Sequence, residues 1–67
     1  MLTVDQVKER VAKIVQIRSD DEAAHSEEDL LHFEVLQAIA DGNCEDPAAC
    51  AREALKTEEI EFSRWCA

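Results

Sequence analysis

The residues of this chain best suited to chemistry are three cysteines and two histidines: Cys44, Cys50, Cys66, His25 and His32. Zinc would take Cys44, Cys50, Cys66 and His32 as a tetrahedral Cys₃His set. Zinc knuckles present their thiolates as closely spaced Cys-x-x-Cys pairs, and no such pair exists here. The thiols therefore read as packed or exposed groups, and no metal or other cofactor is expected. A Cys44–Cys50 disulfide would close only a short loop, and a reducing compartment would keep it open.

A second set is helical. His25, Glu28, Asp29 and His32 fall on one helical face, the way bundles present metal ligands, and Asp29-x-x-His32 is similar to half of a di-iron carboxylate motif. A second ligand-bearing helix is required and none is evident, so the expected role is a solvated acidic face. Nucleophilic catalysis would need a Cys or Ser beside a His, with an orienting group and a pocket. Cys44 and His32 are distant in sequence, no glycine-rich loop could cradle an oxyanion, and so small a core leaves no room for a pocket of ~300 Å³. No enzyme activity and no catalytic residue are expected.

Charge narrows the partners. The formal net charge is −9, and the stretch from Ser19 to Ala51 contains no Lys or Arg. Such a field repels nucleic acid and anionic membranes, so direct binding to either is not expected. Asp20, Asp21, Glu27, Glu28, Asp29 and Glu34 offer part of a phosphate-like array. The simpler expectation is that the basic face of the first segment, with Lys8, Arg10 and Lys13, folds onto them. The opening MLTVDQVKER lacks the pattern of a signal peptide. No apolar run approaches the ~20 residues of a membrane span. A cytoplasmic protein is expected.

These residues must be positioned by helices, since Ala, Glu and Leu are abundant and there is one Gly and one Pro. Thr3 and Gln6 form a capping box ahead of a stripe of Val4, Val7, Val11, Ile14 and Val15, which predicts a helix near 3–18. Ser19 with Glu22 predicts the start of a second, near 20–41, ended by Gly42. Its apolar residues Leu30, Leu31, Phe33, Val35, Leu36 and Ile39 sweep most of its circumference. Asp46 and Pro47 open a third near 47–56, whose inner positions are mostly alanine. Thr57 is expected to break and recap the chain into a fourth near 58–65. Phe62 and Trp65 would then share one face, with Ile60 opposite. Ile60-Glu61-Phe62 also alternates like a strand, but no partner strand is offered. The fold class is all-α: one domain over 1–67, a small bundle of three to four helices.

The segment AREALKTEEIEFSRWCA, residues 51–67, resembles the C-terminus of short proteins of actinobacterial phages and their hosts. The upstream DDEAAHSEEDLLHFEVLQAIADG is similar to the same group, and EFSRWCA is the most specific part. The resemblance implies a small phage-associated protein of the host cytoplasm. It brings no catalytic residue and no cofactor.

The functional expectation is an acidic helical protein–protein interaction module, a phage-encoded modulator binding a host protein with a basic or apolar surface. One narrow core cannot cover all the apolar residues of the second helix, so a homodimer is expected. Its interface is assigned to Leu30, Phe33, Leu36, Ile39, Ile60 and Trp65. The alternatives are a nucleic-acid mimic blocking a basic host site, or a redox or zinc switch built on the cysteines.

Overall fold

The computed structural model describes residues 1–64; the expected roles of Trp65 and Cys66 lie outside them. The described chain is all-helical: α1 (Val4–Gln16), α2 (Asp21–Ala40) and α3 (Pro47–Leu55), followed by a 3₁₀ turn, Lys56–Glu59. Each pair of helices is in contact, so they form a three-helix bundle.

Local chemistry sets the helix ends. Thr3 and Gln6 make the reciprocal capping box, with Gln6 N–H donating to Thr3 Oγ1 at 3.1 Å and Thr3 N–H to Gln6 Oε1 at 2.9 Å. The cap of α2 is Asp20, which accepts from Ala23 N–H at 3.2 Å. The expected Ser19 box is thus displaced by one residue, in favour of a charged acceptor at the positive end of the helix dipole. α2 runs unbroken to a Schellman ending. Gly42 has φ +68, its N–H donates to Ile39 O, and Asn43 N–H donates to Ala38 O. Asp46 caps α3 and Pro47 occupies its first turn, as the sequence predicts.

The expected fourth helix over 58–65 does not form among the described residues. Thr57 does not recap the chain: it is fully buried, and its hydroxyl donates back to Ala54 O at 3.1 Å. One 3₁₀ turn follows, and Ile60 is extended (φ −82, ψ 128). Ile60 and Phe62 both pack on the core, because positions two apart in an extended segment share a face. The alternation in Ile60-Glu61-Phe62 was therefore the governing signal. It needs no partner strand, since the bundle itself supplies the apolar surface.

Val7, Ile14, Ala24, Leu31, Val35, Cys50 and Ala54 form the buried core. Val15, expected in the α1 stripe, is exposed. Residue Leu2 exchanges backbone hydrogen bonds with the α2–α3 loop: its N–H donates to Asn43 O at 3.0 Å, and its carbonyl accepts from Glu45 N–H at 2.9 Å. The chain start thus closes the end of the bundle opposite the 3₁₀ turn. No helix among the described residues is long and apolar enough to cross a membrane.

Candidate functional site

Two features stand out on the α2–α3 side: a buried polar cluster beneath the C-terminal segment, and an apolar groove beside it.

The polar cluster starts from Glu28. Ala24, Glu28, Leu31 and Val35 follow a helical stripe, so the carboxylate enters the core and is only 3% exposed. Arg64 meets it from the far end of the described chain, with Nε donating to Oε1 at 2.8 Å and Nη2 to Oε2 at 3.1 Å. The guanidinium also donates to the carbonyls of Thr57 (2.7 Å), Ile60 (3.1 Å) and Phe62 (3.3 Å), and sits 3.9 Å over the Phe62 ring. Five donors in a planar fork explain why arginine holds this position. Burial alone would push the Glu28 carboxyl up. The Arg64 hydrogen bonds and charge outweigh it and hold the group below its ordinary value.

His32 Nε2 lies 3.2 Å from Ala54 O and 3.0 Å from Thr57 Oγ1. A carbonyl can only accept, so Nε2 carries the proton and donates. His32 thereby ties α2 to the end of α3.

The expected ligand face is divided by these contacts. His25, Glu28 and Asp29 place donor atoms within 4.8 Å of one another, and His25 Nε2 lies 3.4 Å from Asp29 Oδ2. Both Glu28 oxygens are taken by Arg64, and His32 is committed to α3. A cation here would have to displace a guanidinium. Cys50 is fully buried beside Cys44, and both are free thiols. Burial, and then the neighbouring Cys44, push the Cys50 thiol up, away from the thiolate form that metals and oxidants require.

The acidic stretch is engaged within the fold. Arg10 of α1 pairs with both Glu27 and Glu34, but Lys8 and Lys13 are exposed, so the expected packing of a basic face on α2 is carried by Arg10 alone among the described residues. Asp20 caps α2, Asp21 Oδ1 accepts from Ser63 N–H at 3.1 Å, and Asp29 meets His25. Five of the six carboxylates of the supposed phosphate array therefore have intramolecular partners, and Asp29 stands largely exposed beside His25.

The groove lies between α2 and α3. Its volume is about 290 Å³, and its lining is His32, Val35, Leu36, Ile39, Ala51, Ala54 and Leu55. The sequence predicts no room for a pocket of ~300 Å³, and this surface groove comes close to that volume. Ala51 and Ala54 leave space that Leu36 and Ile39 only partly fill. Of the residues assigned to an interface, Phe33 and Leu36 are 62% and 67% exposed and Leu30 is 45% exposed. Ile39 is half-buried in the groove wall. Ile60 is half-buried against the protomer's own core instead. Leu55, not singled out from the sequence as an interface residue, is 60% exposed at the α3 lip. Its signal was available: it sits one turn beyond Ala51 on the same side of α3.

No family model, no curated protein and no solved structure matches the chain.

Proposed function

We propose that the protein is a non-catalytic helical interaction module that docks another polypeptide through the α2–α3 face. The observation that carries this is the exposure of Phe33, Leu36 and Leu55 around an apolar groove. Scattered single apolar residues need no explanation, but a clustered set beside a cavity marks a docking surface. The net charge of −9 serves solubility and the rejection of anionic partners. The resemblance to phage proteins adds the setting, a host cytoplasm, and the apolar character of the face calls for a polypeptide with an apolar surface of its own. The nucleic-acid-mimic reading has less support, because five of the six carboxylates it needs are paired within the fold. The cysteine-switch reading is weakened by the burial of Cys50.

A photo-crosslinking amino acid at position 33 tests the proposal, with position 8 on α1 as control. A polypeptide captured at 33 but not at 8, and lost with Leu36→Asp, supports it. Equal capture at both positions, or none at 33, refutes it. Capture that survives raised salt separates apolar docking from charge mimicry.

A further inference from the structure

We infer that the occupant of the α2–α3 groove is the same face of a second copy, in a two-fold pair. This rests on the docking role given to that face above and names its partner.

A two-fold interface uses one patch twice, so the patch must be complementary to itself. This face carries both halves of such a fit. Phe33 and Leu36 project from the exposed side of α2. Immediately beside them, starting at Leu36 itself, lies the groove whose floor is Ala51 and Ala54. Turning one copy by half a revolution about an axis near Leu36 sets the projecting Phe33 of each against the cavity of the other.

The charges bordering the groove point the same way. On the α3 side Arg52 and Lys56 are exposed and flank Leu55. Arg52 makes no ion pair among the described residues, and Lys56 pairs only locally with Glu53. On the α2 side Asp29 is exposed. With the two-fold axis running along the helices, α2 of each copy lies toward α3 of the other, and Arg52 is brought toward the partner copy's anionic side. A basic amphipathic helix, the partner that the net charge alone suggests, would meet Arg52 and Lys56 with like charge.

The pair also supplies burial that the protomer lacks. Among the described residues, three of the seven in the buried core are the small Ala24, Cys50 and Ala54, and a chain of this size has a marginal core. A stable interface takes roughly 800 Å² from each partner, against a total accessible surface of 4369 Å². Four exposed side chains and a groove are a modest share of that. The charge of −9 on each copy opposes pairing at long range, so added salt tightens the dimer. A complex with a basic partner would respond to salt in the opposite sense.

Sedimentation of the full chain over a micromolar concentration series, at low and high salt, tests this. Three variants are run beside the wild type. Phe33→Ala removes the projecting group, Ala51→Leu fills the cavity, and Arg52→Glu reverses one lip. Circular dichroism confirms that each is folded. Phe33 and Arg52 are exposed, so those two variants remain informative if Ala51→Leu misfolds. The expected result is a wild-type dimer that tightens with salt, weakened about tenfold or more by each variant. An equal mixture of Phe33→Ala and Ala51→Leu recovers part of the dimer, because the mixed pair keeps one intact fit and has no clash. A monomer at every concentration overturns the inference, as does a dimer indifferent to Phe33→Ala and Arg52→Glu. If the chain is monomeric yet position 33 still captures another polypeptide, the second copy is wrong and the docking role stands. If position 33 captures nothing, both fail.

Discussion

Arg64 holds both carboxylate oxygens of Glu28 across 36 residues of sequence, through Nε–Oε1 and Nη2–Oε2 contacts of 2.8 and 3.1 Å. This pair decides the course of the C-terminal segment. A fourth helix would carry Arg64 away from Glu28 and leave a buried charge without a partner. The extended path keeps the pair and seats Ile60 and Phe62 on the core. Removing one member of a buried pair typically costs about 3 kcal/mol or more. Arg64→Ala is expected to destabilise the fold by that order in chemical denaturation. Arg64→Lys should recover only part of it, because an ammonium cannot span two oxygens and three carbonyls. Equal stability of Arg64→Ala and wild type would remove the pair from this role.

The same pair sets an acid limit. Glu28 has a folded value below its usual 4.5, so the folded state binds its proton less readily than the unfolded state. The resulting stability is fully present above pH 4.5. It is lost as pH falls through the lowered folded value. The stability gap between wild type and Glu28→Gln should therefore shrink on acidification from neutral pH. A gap that stays constant down to strongly acidic pH would contradict this.

Arg10 is the counter-ion that α1 brings to the acidic helix. Its pairs with Glu27 and Glu34 are partly exposed, so Arg10→Ala should cost about 1 kcal/mol at low salt and less at high salt. In the wild type, repulsion among the remaining carboxylates should make salt raise the melting temperature. A melting temperature that falls with salt would mean that attractive pairs dominate the surface.

The cysteines differ in importance. Cys44 is half-buried in a loop, and Cys44→Ser should be nearly neutral. Cys50 is fully buried in the core, so Cys50→Ser places a hydroxyl there and should cost roughly 1–3 kcal/mol. Cys50→Ala should cost less. Thermal melts of the three variants distinguish this order from one in which all thiols are dispensable.

The three helices were legible because their signals are local. The Thr3–Gln6 box, Gly42 and Asp46-Pro47 each act within one turn of the chain. The C-terminal segment was not, because its conformation depends on a partner distant in sequence. The pattern did hold a clue: Glu28 falls between Ala24 and Leu31 on the stripe that becomes the core. A carboxylate there requires a cation, and Arg64 is the one that answers. The exposed side of α2, with Leu30, Phe33 and Leu36, could be anticipated from an apolar circumference too wide for one core. The groove could not, because its floor depends on how closely two alanines of α3 approach α2.

Methyl-resolved nuclear magnetic resonance offers the most direct test of the docking face. Spectra would be recorded across a dilution series, and again with any polypeptide captured at position 33. The expected result is that the methyl signals of Leu36, Ile39 and Leu55 shift with concentration or partner, while those of the core residues Val7 and Ile14 stay fixed. Shifts confined to α1, or no shift at Leu36 and Leu55 under either condition, would show that the α2–α3 face docks nothing.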